Sequence, residues 1–293
     1  IWYNGTTTGD YEVSHVYGAE SVWSNGYALV MHFAEEANSA NDGFSDSTKY
    51  ENYGTGESLE SANSTSSSLG RGIDFDGTND YLSFKQTALP FGTSDVTMTA
   101  WVEPAVVSGS ADAIISYGTG YNTNTNHSMF RDNSNLFGGG GPNAAYAASI
   151  NAVFTAGQQN HVAYTFDGTD VRAYNNGILG GTQTEPQNVV PGGARIGNDL
   201  VNSQEWEGVI DEVRIASSTR SDAWVKAEYY NQRASSTFYT TEENTALASA
   251  ENQAFATGQG TTVIAPITIT EIDGLAITDT NNIRLAIDSS VAM

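Results

Sequence analysis

The chain has 293 residues, 34 acidic against 11 basic side chains and no cysteine, for a formal net charge of −23. Its few cations cannot neutralise a run of phosphates and its excess of acids repels anionic headgroups, which excludes nucleic acid and membrane surfaces as partners. The lack of thiols excludes disulfides, a thiolate zinc site and a cysteine nucleophile. Length allows one large domain, or a domain of about 200 residues plus a fragment. Charged residues make up 15%, below the ~25% of average globular chains. Ser, Thr, Asn and Gly fill the deficit, a composition that suggests an exported, extracellular or cell-surface protein. No stretch approaches the ~20 apolar residues of a membrane-spanning helix.

Taken in chain order, residues 1–22 read as a lead-in strand or the end of a preceding module, since the chain opens without an initiator Met. The apolar run Ala28-Leu29-Val30-Met31-His32-Phe33 suits a buried strand. Residues 38–69, rich in Ser, Asn, Gly and acids, read as a long surface loop. Phe75-Asp76-Gly77-Thr78-Asn79-Asp80 and Phe166-Asp167-Gly168-Thr169-Asp170 each place Asp-Gly between strand-like segments, so both read as hairpins. Tyr81 to Phe84, Val96 to Val102, Ala113 to Tyr117, His161 to Phe166, Val171 to Asn175 and Val209 to Ile215 are further strands, with a turn at Asn175-Asn176-Gly177. Segments 118–126 and 137–143 read as loops. One short helix follows the last strand, from Asp222 to Tyr230, with Ser221 as N-cap.

The composition shifts after residue 233. Residues 234–260 read as a linker, and within 261–293 two alternating strands appear, Thr262 to Thr270 and Ile283 to Ile287. Two strands bury no core unaided. They dock on the first domain, begin a second β-sandwich, or pair with another chain; the last two together fit the pattern best. Strand addition to a second copy would make the chain a homo-oligomer or a subunit of a filament.

Four segments, in order, resemble the laminin-G-like branch of the concanavalin A-like lectin and glucanase superfamily. They are Ala28 to Glu35 with Asp46-Ser47-Thr48 and Gly54-Thr55; Ile73 to Leu82; Val96 to Val102 paired with Gln159 to Gly177; and Glu207 to Ile215 followed by the helix. Asn160 stands where the family usually carries a Trp. The resemblance covers about residues 20–232 and implies an all-β fold, a two-sheet antiparallel jelly roll over 23–233. It also implies roles in recognition, adhesion and glycan binding, with glycosidase and lyase branches, so the sites must decide.

A retaining glucanase of this superfamily carries Glu-x-Asp-x-x-Glu on one strand, where alternation projects all three acids into the cleft. Glu271-Ile272-Asp273 begins that pattern, but Ala276 occupies its last place, and Asp211-Glu212 puts adjacent acids on opposite faces. His127, Arg131 and His161 have no spacing that ties them into a lyase site, and His161 and His32 read as structural histidines. The chain is therefore expected to be no enzyme. The resemblance implies a structural Ca²⁺ that ties the first long loop to the final strand through oxygen ligands, matching Asp46, Asn52, Asp211 and Glu212, with the turn Asp76 to Asp80 a second cation candidate. Glycan recognition needs aromatic platforms flanked by hydrogen-bonding side chains. Tyr121 with Asn122 and Asn124, Arg131 with Asp132 and Asn133, and Trp206 with Gln204 are the candidates, whereas Trp101 and Trp224 read as core. Sequons at Asn4, Asn63 and Asn126 indicate exposure at most.

The expected function is a non-catalytic adhesion or recognition module of a bacterial surface protein, Ca²⁺-stabilised and binding a glycan or another surface protein. The alternative is a carbohydrate-binding module appended to a polysaccharide-degrading enzyme.

Overall fold

The computed structural model describes residues 12–67, 69–109, 111–119, 124–139, 147–151, 153–200 and 204–233. The linker and the two strands expected in 234–293 lie outside these residues, as do Tyr121 and Asn122. Of the lead-in, residues 12–22 are described, and they hold a helical turn, α1 (Ala19–Val22), where a strand was one expectation.

Fifteen strands are present among the described residues: β1 (Tyr27–Met31), β2 (Gly54–Glu57), β3 (Ser64–Ser67), β4 (Gly70–Asp76), β5 (Tyr81–Phe84), β6 (Val96–Pro104), β7 (Asp112–Gly118), β8 (Asn126–Asp132), β9 (Asn135–Gly139), β10 (Ala147–Ile150), β11 (Asn160–Phe166), β12 (Asp170–Asn175), β13 (Ile178–Thr184), β14 (Gly193–Ile196) and β15 (Glu207–Ala216). They form two antiparallel sheets. One runs β13-β12-β11-β6-β15-β4-β3 with β1 also paired to β15, and the other runs β10-β9-β8-β7-β14-β5-β2. Leu29, Met98, Val162, Tyr164 and Ile215 of the first sheet share one buried cluster with Leu82, Ile115, Tyr117, Met129 and Ile196 of the second. This is the two-layer sandwich expected of a jelly roll.

β15 organises the first sheet. Its first half pairs with β4 and its second half with β1, while β6 lies along its other side. Helix α2 (Asp222–Gln232) begins where the sequence places it, with the Ser221 hydroxyl accepting the Trp224 N–H at 3.2 Å. It covers the sheet face that points away from the core: Val225 packs on Ala163 and Tyr174, and the Tyr174 hydroxyl donates to Asp222 at 2.9 Å. Alternation along β11 explains this, since Val162 and Tyr164 face the core and Ala163 faces the helix.

Three expectations need correction. The two Asp-Gly turns are not equivalent. Phe166 to Asp170 closes a true hairpin between β11 and β12, but the turn after Asp76 carries the chain from β4 in one sheet to β5 in the other. The segment 38–69 is not all loop, because β2 and β3 extend the two sheets from it. Phe137 to Gly139 belongs to β9, although glycine-rich sequence reads as a loop. Close packing explains the glycine: a Cβ built on Gly138 would lie 2.6 Å from Cδ2 of the buried Tyr164. Only hydrogen fits beneath that ring, so the strand carries glycine where β-propensity would disfavour it.

Gly138→Ala is therefore expected to cost about 1–3 kcal/mol through overpacking, read as a shift in the urea unfolding midpoint. A change within about 0.5 kcal/mol, the range of ordinary surface substitutions, would contradict the close approach.

Candidate functional site

The acids singled out by sequence fall into two groups. Asp46 sits in the first long loop, and its carboxylate is fully occupied by protein donors. Oδ1 accepts the N–H groups of Val30 (2.9 Å) and Thr48 (3.0 Å), and Oδ2 accepts the Thr48 hydroxyl (2.7 Å) and the Asn52 N–H (2.9 Å). A carboxylate offers about four acceptor positions, and all are used. Asn52 is as fully engaged: Nδ2 donates to the carbonyls of Ala28 and Thr87, each at 2.8 Å, and Oδ1 accepts the Thr87 N–H at 2.7 Å. Together the two side chains staple the loop to the start of β1.

Asp211 and Glu212 lie at a bulge in β15. Between Asp211 and Arg214 this strand advances three residues while β6 advances two, from Trp101 to Thr99, and Glu212 takes a φ of 52°. The extra residue swings both acids toward the helix-covered face, since Ile210 and Val213 on either side remain in the core. Glu212 Oε1 meets His32 Nδ1 at 2.7 Å, and Oε2 accepts from Arg214. Burial works against its charge, but the His32 hydrogen bond and the Arg214 guanidinium outweigh burial and hold the carboxyl below its usual range. Arg214 Nη1 reaches Glu228 of α2 at 2.7 Å, and Glu228 also accepts from the Thr99 hydroxyl at 3.0 Å. Asp211 is held less well. Oδ1 accepts the Glu212 N–H at 2.7 Å and Oδ2 has no partner of good geometry. Burial pushes this carboxyl up to about 6, with the Ser67 hydroxyl opposing and Glu212 adding to the rise.

The four residues therefore do not fit a shared Ca²⁺ cage. Asp46 and Asn52 are saturated by hydrogen bonds within the protein, Glu212 is held by His32 and the Arg214 guanidinium, and no group of three or more His, Asp or Glu side chains placed to hold a metal ion occurs among the described residues. The turn from Asp76 behaves similarly. Asp76 Oδ1 accepts the N–H groups of Thr78 and Asn79, and Asp80 Oδ2 accepts from the Asn63 amide and the Asp76 N–H. These are backbone-capping roles.

The aromatic candidates are redistributed. Trp206 is 0% exposed and Arg131, which pairs with Asp112 and lies 6.0 Å over the Trp206 ring, is 1% exposed. A ring with no free face is no platform. Asn124 is described, in a turn at φ 69°, with its carbonyl accepting the Asn188 N–H at 2.7 Å. Trp101 is buried under α2 and donates to Gln232 at 2.6 Å. Trp224, read as core, is instead 39% exposed on the outer side of the helix start. It flanks a closed crevice, too narrow to admit a water molecule, lined also by Tyr27, Thr99, Arg214, Arg220 and Glu228. Sequence reading passed over Arg220, whose only local sign is its position just before the N-cap of a helix that bears an exposed Trp.

Both buried histidines are structural. His161 lies between Trp101 and Tyr229, with ring centroids at 5.4 and 6.1 Å, and burial brings its pKa down to about 4. His127 Nδ1 meets the Tyr164 hydroxyl at 2.8 Å inside the sandwich, and burial brings it down to about 3.

Residues 76–226 match the Laminin_G_3 family model, described as the concanavalin A-like lectin/glucanases superfamily, and the chain belongs to this family. No curated protein matches. Among solved structures, the botulinum neurotoxin serotype D binding domain is similar at 13% identity and TM-score 0.51, covering 71% of this chain and 52% of that one. The binding domain of Paraclostridial Mosquitocidal Protein 1 is similar at 10% identity and TM-score 0.55, over 70% of this chain and 52% of that one. This chain thus spans about half the length of those toxin domains. Domain 4 of AbnA, a GH43 extracellular arabinanase from Geobacillus stearothermophilus, solved in complex with arabinotriose, is similar at 17% identity and TM-score 0.50, over 68% of this chain and 96% of that domain. At these identities the likeness is one of fold.

The pH dependence of stability follows from the buried groups. For both histidines the folded pKa lies below the unfolded value, so their contribution is complete above pH ~6.5 and is lost on acidification, by about 1.4 kcal/mol per pH unit for each ring. Asp211 acts in the opposite sense: its raised folded pKa costs stability as pH climbs through about 6. Urea unfolding between pH 7 and 4.5 is expected to show falling stability, and Asp211→Asn is expected to stabilise at pH 7 by about 1–3 kcal/mol. A flat profile, or a destabilised variant, would contradict these assignments.

Proposed function

We propose that this chain is a non-catalytic, extracellular recognition module that binds a glycan. Support comes first from the fold shared over 96% of an arabinanase domain whose structure holds arabinotriose, and then from the toxin binding domains of the same build. The chemistry of the chain agrees. Asp46 is spent on capping backbone donors and Glu212 on His32 and Arg214, and the glucanase pattern begun at Glu271 has Ala276 in place of its last acid. The likeness to the arabinanase domain favours a second reading of context, in which the module is appended to a polysaccharide-degrading enzyme. The adhesion reading places the same binding surface on a cell-surface protein. Assembly through the 261–293 strands belongs to the adhesion reading alone.

Retention on immobilised polysaccharides tests the proposal. At least one plant or bacterial-envelope polysaccharide is expected to retard the chain in affinity electrophoresis, with no change in the polysaccharide's reducing ends. Release of reducing ends or unsaturated sugars, dependent on this chain, would overturn the non-catalytic reading, and indifference to every glycan tried would overturn glycan binding.

A further inference from the structure

Burying a carboxylate is costly unless hydrogen bonds or a cation meet its charge. Asp46 accepts four donors, Asp112 pairs with Arg131, and Glu212 takes His32 and Arg214. Glu185 has no such company. It directly follows β13, is 4% exposed, and pairs with no basic side chain among the described residues. Burial pushes its carboxyl above the usual range, although the Asn124 amide donates to it, and Oε1 is buried without any hydrogen-bond partner.

Two amide oxygens beside it share that condition. Gln187, 1% exposed, turns its Nε2 back to the Glu185 carbonyl at 3.3 Å, and its Oε1 is buried with no donor. Asn124 Oδ1 is buried with no donor as well. Turning either amide over does not help. The Gln187 oxygen would then face the Glu185 carbonyl, and the Asn124 oxygen the Glu185 carboxylate, acceptor against acceptor. The backbone around them is fixed: the Glu185 N–H donates to the Thr169 carbonyl at 3.0 Å, and the N–H groups of Asn188 and Val190 donate to the carbonyls of Asn124 and Thr125 at 2.7 and 3.1 Å. The segment between β13 and β14 thus lies against the turn that leads into β8, with three acceptor oxygens, one of them on a carboxylate, carried by Glu185 and the two side chains that touch it.

We propose that Glu185 Oε1, Gln187 Oε1 and Asn124 Oδ1 hold a Ca²⁺ ion. A buried water has two protons to give and would leave one of the three oxygens unmet, whereas a cation serves all three at once. Carboxylate and amide oxygens are hard ligands, which favour Ca²⁺ over a transition metal. Ca²⁺ also tolerates the irregular geometry of such a set, where Mg²⁺ demands a near-ideal octahedron. Water completes the coordination. With a single carboxylate the site is weak, in the range of about 0.1–1 mM typical of extracellular modules. The ion clamps the turn before β8 to the segment after β13, a place in the fold distinct from Asp46 and from the bulge in β15. The assignment stands apart from the glycan-binding reading and does not depend on it.

The test uses the whole chain, freed of metal by a chelator and unfolded in urea at pH 7 with CaCl₂, MgCl₂ or NaCl at equal ionic strength. The matched salts are needed because screening alone relieves self-repulsion in a chain of charge −23. Ca²⁺ is expected to raise the unfolding midpoint beyond the other two salts and to titrate as one site in calorimetry. Glu185→Gln keeps the shape of the side chain without its charge, and is expected to fold in the absence of Ca²⁺ and to bind it at least tenfold more weakly. Gln187→Glu adds a second carboxylate and is expected to bind at least tenfold more tightly. Midpoints that follow ionic strength alone, no uptake of Ca²⁺ at about 10 mM, or wild-type affinity in either variant would each overturn the site.

Discussion

A buried guanidinium sets the terms for the rest of the molecule. Arg214 lies on β15, the longest strand among the described residues, and a charge taken out of water must be met by opposite charge and hydrogen bonds. It is met on one side by Glu212, which a bulge in its own strand turns toward it, and on the other by Glu228 of α2. Trp23 closes over the group, its ring 4.8 Å from the guanidinium carbon and 5.4 Å from His32, which shares Glu212. One ionic cluster thus joins β15, the end of β1, the segment before it and the helix. Because Glu228 also accepts from Thr99, and Gln232 from Trp101, the helix is placed by polar contacts where its apolar contribution, centred on Val225, is small.

That placement also decides what the start of the helix presents. Fixing α2 by Glu228 brings its first turn beside Tyr27 and leaves Trp224 facing outward with Arg220 between the two rings. The chain has few cations, and four of those described, Lys85, Arg131, Arg172 and Arg214, pair with carboxylates.

Much of the fold was legible in the sequence. Strands with strong alternation or continuous apolar runs, such as Val96 to Val102 and Val209 to Ile215, lie where the periodicity puts them, and Ser221 caps the helix as its side chain dictates. Strands whose pairing is decided by tertiary packing were not legible. Gly138 is in a strand because β9 pairs with β8 and β10, and is glycine because Tyr164 leaves no room for a side chain, while Ser64 to Ser67 is a strand because it pairs along the edge of β4 from Ile73 to Gly70. Site residues were harder to read. Asp46 looks the same in sequence whether it serves a cation or four protein donors, since both satisfy the same lone pairs. Trp206, in the segment just before β15, is fully buried whereas Trp224 on α2 is exposed, and neither tryptophan carries a local mark of this; a bulge such as that at Glu212 likewise resets facing without a sequence mark.

The account stands most directly on the coupling of β15 to the helix through Arg214. A double-mutant cycle of Arg214→Met and Glu228→Gln, read by urea unfolding at pH 7, measures it. Each single change is expected to cost about 3–5 kcal/mol by stranding a buried charge, and the pair together far less than their sum, with a coupling of at least about 1.5 kcal/mol. Additive losses within about 0.5 kcal/mol would mean that the two charges do not depend on each other, and the structural basis for the helix and for the crevice beside it would fail.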